Sequence, residues 1–319
     1  MRVFRQLSNL PAFTRAVITI GTFDGVHKGH VRLIQNINDI ARDTGGESII
    51  ITFHPHPRTV INPNDKTLRL LNTTDEKIEL LRNHGVQNVV VVPFNRDFSE
   101  MGADDYIEKF LVENFKPAHI VIGYDHRFGK NRSGDIHLLQ QYQKKYGFAL
   151  VEIQQEMLHD ITISSTKIRQ ALLGGQVQLA HQLLGYRYTF SGTVVRGRQL
   201  GRTLGFPTAN LQINDPYKLV PCPGIYAVRV KRYVPHENEG KYYTGMMSIG
   251  NNPTFGDNAQ TIEVNILDFT DDIYGEQLTV ELLAYLRPEK KFNNADELIA
   301  AMREDERKTR AIAAQEGFV

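Results

Sequence analysis

Cysteine is almost missing from this chain. Cys222, set between Pro221 and Pro223, is the only one, so no intramolecular disulfide and no cysteine-ligated metal cluster can form, which suits a reducing, cytoplasmic compartment. Net charge is nearly missing as well. The 37 Lys and Arg against 36 Asp and Glu leave a formal charge of +1, whereas nucleic-acid binders concentrate a basic excess, and no DNA-reading helix pair is visible; no nucleic-acid partner is expected. The longest apolar runs, such as Asn88 to Phe94, are strand-sized and far short of the ~20 residues that cross a bilayer, so no membrane partner is expected either. Arg2, Arg5 and Arg15 mark the N-terminus without an apolar signal core behind them, so export is not expected. A Walker phosphate loop is also missing from the second half, which excludes the usual P-loop kinase cradle.

What is present is a folded protein of moderate size. At 319 residues the chain exceeds one ordinary hydrophobic core, and 41% hydrophobic against 23% charged residues is too apolar for disorder; about two domains are expected. In the first half, β-rich runs at Ala16–Ile20, Ser48–Phe53, Asn88–Pro93, His119–Gly123 and Ala149–Gln154 alternate with helical patterns. Thr73-Thr74-Asp75-Glu76 reads as a capping box, with His84-Gly85 as its stop, and amphipathic stretches cover 103–115 and 135–146. Strand and helix in alternation imply a Rossmann-like, doubly wound parallel sheet. After a helical segment at Val177–Leu184 the rhythm changes. Thr189–Val195, Gly224–Val230, Tyr242–Ile249, Ile262–Leu267 and Thr279–Tyr285 follow one another without crossover helices, the pattern of a small antiparallel β-barrel. A last helix starts near Asn294, whose side chain can cap Glu297, and its charged run 302–310 reads as a solvated face. The junction is placed at Gly185-Tyr186, giving domains 1–185 and 186–319.

The strongest local pattern is Gly21-Thr22-Phe23-Asp24-Gly25-Val26-His27-Lys28-Gly29-His30, directly after the first strand and before a helix, where α/β sheets bind ligands. Glycines let the backbone approach a phosphate, the helix start offers free amides, and two histidines around Gly29 can donate to phosphoryl oxygens. A plain strand-to-helix turn is the bland alternative. Ile163-Ser164-Ser165-Thr166-Lys167-Ile168-Arg169 offers hydroxyls and amides at a helix start, with an arginine fork suited to the departing phosphates; alone it is equally a plain N-cap. Phe53-His54-Pro55-His56-Pro57 spaces two histidines by a proline, but no cysteine or carboxylate ligand stands beside them, so zinc is not expected.

The second half carries Gly192 to Asn210, in which glycines at 192, 197, 201 and 205 permit close backbone approach and Gly205-Phe206-Pro207-Thr208-Ala209-Asn210 places a hydroxyl and an amide oxygen around a fixed turn. Those oxygens suit Mg²⁺ and phosphate. A glycine-rich β-turn is the alternative for the glycines, and for Glu263, on an alternating strand, a solvent-facing position is.

Together these motifs resemble the prokaryotic bifunctional riboflavin kinase/FAD synthetase family, within the nucleotidylyltransferase superfamily. G-x-F-D-G-V-H-x-G-H, I-S-S-T-x-I-R and the segment Gly192–Asn210 occur in the family's order and touch both halves of the chain. The resemblance implies ATP-dependent phosphorylation of riboflavin to FMN, then adenylyl transfer to FMN giving FAD, with Mg²⁺ as cofactor, ATP as co-substrate and flavins as substrates and products. It implies His27, His30 and Glu263 as catalytic residues, Glu263 as general base. For ATP and its phosphates it implies Gly21, Phe23, Asp24, Gly29, Ser164, Ser165, Thr166, Arg169, Gly197, Arg202 and Gly205, and for the metal Thr208 and Asn210. Gly123-Tyr124-Asp125-His126-Arg127-Phe128-Gly129 resembles the family's flavin segment, implying Asp125, Arg127 and Phe128 as flavin contacts, with Arg310 from the last helix. His126 departs from the usual Phe and Asn252 from an Arg seen in many relatives. Competing readings are a monofunctional FAD synthetase whose second half only binds flavin, a nucleotidylyltransferase for another acceptor, and a flavin-responsive regulator.

Overall fold

The structure, a computed structural model, describes residues 1–153, 163–197, 201, 205–233, 240–251 and 260–318. The chain divides into two compact units, Met1–Ser165 and Thr166–Val319.

In the first unit, β1 (Arg2–Phe4), β2 (Val17–Ile20), β3 (Ser48–His54), β4 (Asn88–Pro93), β5 (His119–Gly123) and β6 (Ala149–Ile153) form one parallel sheet in the order β1-β4-β3-β2-β5-β6. Successive strand residues point to opposite faces, and both faces are covered. Ile18, Ile20, Ile49, Ile51, Val90, Val92, Ile120 and Ile122 pack into one core, while Val17, Ile50, Val89, Val91 and Val121 pack into another. That is why these strands read as continuous apolar runs rather than as alternations. From β2 the chain winds outward through β3 and β4, then returns to place β5 on β2's other side. The reversal opens a crevice at the C-terminal ends of β2 and β5, the ligand position of doubly wound sheets.

Two helices pack into the second of these cores. Lys28–Thr44 is capped by His27, whose ring accepts the His30 amide, and ends on Gly45 at φ 64°, a left-handed position that glycine takes without strain. Thr74–Asn83 starts with the expected capping box, Thr73 and Glu76 each satisfying the other's amide. Within the helical stretch 103–115, Tyr106–Val112 widens into a π-helix, and the wider turn lets Tyr106, Ile107, Phe110 and Leu111 all face the core.

Helix Ser165–Leu173 leads from the first unit into the second, which holds helix Val177–Leu184 and a closed antiparallel barrel in the order β10-β11-β8-β7-β12-β9. Its strands are β7 (Thr189–Val195), β8 (Ala209–Gln212), β9 (Gly224–Arg232), β10 (Lys241–Asn251), β11 (Gln260–Ile266) and β12 (Gln277–Arg287); closure leaves no free sheet edge. Helix Ala295–Gln315, capped by Asn294 on the Glu297 amide, packs on β9, β10 and β12. Its charged run is not wholly solvated. Asp305 is buried and takes a two-pronged ion pair from Arg287 of β12, with Nη2 to Oδ2 at 2.7 Å and Nε to Oδ1 at 3.1 Å.

Candidate active sites

The loop after β2 is built as a constrained cradle. Phe23 and Val26 adopt φ of 47° and 33°, left-handed values that cost non-glycine residues ~1–3 kcal/mol each. Burial of both side chains, at 2% and 0% exposure, holds them there. The consequence is that His27 and His30 stack with ring centroids 3.7 Å apart and planes 15° apart, and Phe23 tilts against His30 at 5.1 Å. Gly29 lets this happen, since a Cβ there would stand 3.2 Å from His27 Nδ1. His30 Nδ1 is buried without a hydrogen-bond partner. Burial first, then the neighbouring His27 and Lys77, holds the His30 imidazole well below its ordinary range, so it is neutral at physiological pH and presents an N–H rather than a charge.

Asp24 lies beneath the loop, 3% exposed. Its Oδ1 accepts the Leu71 amide at 2.8 Å and the Asn72 amide at 3.4 Å, and its backbone carbonyl accepts the Ser165 hydroxyl at 2.8 Å. Ser165 opens helix Ser165–Leu173, so a hydroxyl of the I-S-S-T segment touches the histidine loop. Ser164 is half-buried just before the helix, Thr166 is exposed in its first turn and Arg169 is half-buried one turn on. Gly21 ends β2 close to the Phe23 ring, where a Cβ would approach to 3.1 Å.

The loop after β5 is pinned by a small ladder in which Phe128 and Gly134 exchange amide bonds at 3.1 and 2.9 Å. Phe128 is 5% exposed and stacked on Tyr106 at 5.0 Å. It supports the loop from inside, while Asp125 and Arg127 are exposed and Arg127 pairs with Asp135 at 2.9 Å. His126 stacks on Phe128 at 5.9 Å, and burial pushes its imidazole down to about 4, Asp125 opposing and Arg132 adding.

The second cluster is on the barrel. β8 and β11 pair so that Asn210 stands directly opposite Glu263, and the Thr208 hydroxyl donates to Glu263 Oε2 at 3.1 Å. Asn265, two residues along β11, donates to the Pro207 carbonyl at 2.7 Å and fixes the turn. Gly197 closes over the same point. A Cβ there would stand 2.1 Å from Asn210 Nδ2 and 2.7 Å from Oδ1, so only glycine leaves the amide room. A hydroxyl, an amide oxygen and a carboxylate form a hard-oxygen donor set that fits Mg²⁺, although no group of three or more His, Cys, Asp and Glu side chains suited to a metal occurs among the described residues. Gly205 sits exposed in the turn at φ 82°. Arg202 and Asn252 lie outside the described residues. Arg310 is held by two carboxylates, Asp268 at 2.8 and 3.0 Å and Glu306 at 2.8 Å.

Two features of the first cluster were not read from the sequence: Lys77, buried on helix Thr74–Asn83, and Thr52, to which it donates at 3.4 Å. A lysine on an amphipathic helix carries no pattern that separates it from a solvated one.

A family model described as FAD synthetase matches residues 10–167, and one described as riboflavin kinase matches residues 184–313. A Listeria monocytogenes protein named bifunctional riboflavin kinase/FMN adenylyltransferase is 39% identical over 300 residues, covering 94% of this chain and 93% of its own. An Escherichia coli protein of the same name is 36% identical over 308 residues, 96% of each chain. Among solved structures, a Streptococcus pneumoniae protein described as a macrolide-efflux protein superposes with a TM-score of 0.85 at 31% identity, over 97% of this chain and 98% of its own. Among the described residues of this chain no helix is long and apolar enough to cross a membrane.

Proposed function

Because this chain belongs to the bifunctional riboflavin kinase/FMN adenylyltransferase family, we propose that it makes FAD in two ATP-consuming steps, one at each of the two clusters. Residues 186–319 carry the kinase and residues 1–185 the adenylyltransferase, in a cytoplasmic setting that suits a chain with one cysteine.

In the kinase step, a ribityl hydroxyl of riboflavin attacks the γ-phosphorus of ATP. The new O–P bond forms as the bond to ADP breaks, and Glu263 accepts the hydroxyl proton. Thr208, donating to Glu263, keeps one carboxylate oxygen occupied and leaves the other for the proton. Thr208 and Asn210 are the residues that would hold Mg²⁺, which when bound neutralises charge on the phosphates. Gly197, Arg202 and Gly205 bring backbone and guanidinium to the polyphosphate, and Arg310 lies on the flavin side. The register that sets Asn210 against Glu263 is the observation that carries this step, since a flavin-binding but inactive barrel has no need of it.

In the second step no protein nucleophile is required. A phosphate oxygen of FMN attacks the α-phosphorus and pyrophosphate leaves, so the site supplies position and charge stabilisation. His27 and His30 donate to the α-phosphoryl oxygens, and Gly21, Phe23, Asp24 and Gly29 shape their cradle. Ser164, Ser165, Thr166 and Arg169 receive the departing phosphates, and Asp125 and Arg127 hold FMN on a wall backed by Phe128.

The test is a time course. Purified protein given riboflavin, ATP and Mg²⁺ should show FMN rising before FAD when the flavins are separated; no FMN, or FAD without supplied FMN ever being consumed, would refute the two-step reading.

A further inference from the structure

A buried lysine stands under the histidine loop with nothing in the mechanism above to explain it. Lys77 is 5% exposed, and its ammonium donates to Thr52 Oγ1 at 3.4 Å, while Thr52 Oγ1 donates in turn to the Thr22 carbonyl at 3.3 Å. This relay runs from helix Thr74–Asn83 through the C-terminal end of β3 into the first residue pair of the loop that carries both histidines. Burying an ammonium is expensive unless charge and hydrogen bonds compensate it. Here the hydrogen bond is a single long one to a neutral hydroxyl, and the compensating charge is the buried Asp24 carboxylate. The groups that face Lys77 are therefore Asp24 from the loop, His30 of helix Lys28–Thr44, and Thr52 from β3; one turn back on its own helix, Thr74 holds His54 at 2.9 Å.

As a purely structural element, the Lys77–Asp24 pair would be replaceable as a whole by apolar side chains at little cost in stability. Its position beside two stacked imidazoles that must meet a polyanion points elsewhere. We propose that Lys77 is a positioning residue for adenylyl transfer: its ammonium, seated on Thr52 beneath the loop and opposite Asp24, holds the loop that carries His27 and His30 in the shape that receives ATP. Burial lowers the Lys77 ammonium to about 8, with Asp24 opposing that shift, so it remains charged at neutral pH, and its charge is among the causes that hold His30 down. When the ATP polyphosphate enters, its negative charge offsets the lysine's at His30.

The inference rests on the adenylyltransferase assignment of the first cluster, and the experiment separates the two. Lys77→Gln keeps a hydrogen-bond donor for Thr52 and removes the charge; Lys77→Arg keeps the charge. FMN adenylylation, riboflavin phosphorylation and the NMR titration of His30 are measured on the full chain of each. Lys77→Gln should lose roughly tenfold to hundredfold in kcat/KM for FMN adenylylation, keep its riboflavin phosphorylation, and show the His30 midpoint moved upward; Lys77→Arg should recover part of the adenylylation. Wild-type protein that does not adenylylate FMN would sink the site assignment. Wild-type activity with Lys77→Gln equally active, or with activity lost but the His30 midpoint unmoved, would sink the role of Lys77 alone. Should Lys77→Gln fail to fold by circular dichroism, a folded Lys77→Arg with wild-type His30 titration supports the charge role and one with a raised midpoint overturns it.

Discussion

Replacing Gly197 with alanine should damage the kinase through one side chain. Gly197 is not in the left-handed region of backbone space, so alanine fits its conformation and the effect is purely steric. The new methyl would stand 2.1 Å from Asn210 Nδ2 and 2.4 Å from its Cγ, against the ~3.5–4.0 Å of unstrained contact. Leaving both in place would cost about 1–3 kcal/mol as overpacking. Because Asn210 is half-buried, its side chain can swing away instead, and the cost passes from stability to chemistry. A displacement of about an ångström at a phosphate or metal contact lowers turnover by up to roughly a hundredfold, about 2.7 kcal/mol of barrier. The assay is the initial rate of FMN formation by flavin chromatography, with adenylylation of supplied FMN in the same sample as the control that the chain is folded. A double-mutant cycle isolates the cause. In an Asn210→Ala background, Gly197→Ala should cost almost nothing further. Additive losses in the double variant, or parallel loss of adenylylation in the single one, would refute the reasoning.

Gly134→Ala should destabilise the first unit by about 1–3 kcal/mol, because its methyl would meet the Phe128 ring at 2.3 Å; a lowered thermal midpoint with unchanged riboflavin phosphorylation checks this. Acid should destabilise the protein through its buried histidines. His181 Nε2 is buried without a partner, and burial, with Arg187 adding and Glu316 opposing, lowers its imidazole to about 4 from an unfolded value near ~6.5. Between those values the unfolded chain binds a proton that the folded chain does not, so stability falls as pH drops through the window. Thermal midpoints of His181→Gln from pH 7 to pH 4 should decline less steeply than wild type, and parallel slopes would contradict the assignment.

Much of this was legible in the sequence because local chemistry and tertiary position agreed. Asn88–Pro93 and His119–Gly123 were bounded correctly as strands, since strands buried on both faces must be apolar throughout, and the capping box and the Asn294 cap are each written within four residues. What was missed lacked a local signature. β1 (Arg2–Phe4) is three residues long and exists only through pairing with β4. β8 (Ala209–Gln212) lies inside a motif that reads as a turn, so the register opposing Asn210 and Glu263 was hidden with it. The charged run of the last helix looked solvated throughout, yet Asp305 is buried against Arg287, a pairing set by how the helix crosses β12. Lys77 was hidden for the same reason: a buried lysine and an exposed one occupy the same letter of an amphipathic helix.

The division of labour is tested most directly by following flavins in two variants of the full chain. His30→Ala should convert riboflavin to FMN and stop there, whereas Glu263→Gln should leave riboflavin untouched yet turn supplied FMN into FAD. Either variant losing both conversions while folded, or His30→Ala making FAD at the normal rate, would contradict the assignment of one step to each cluster.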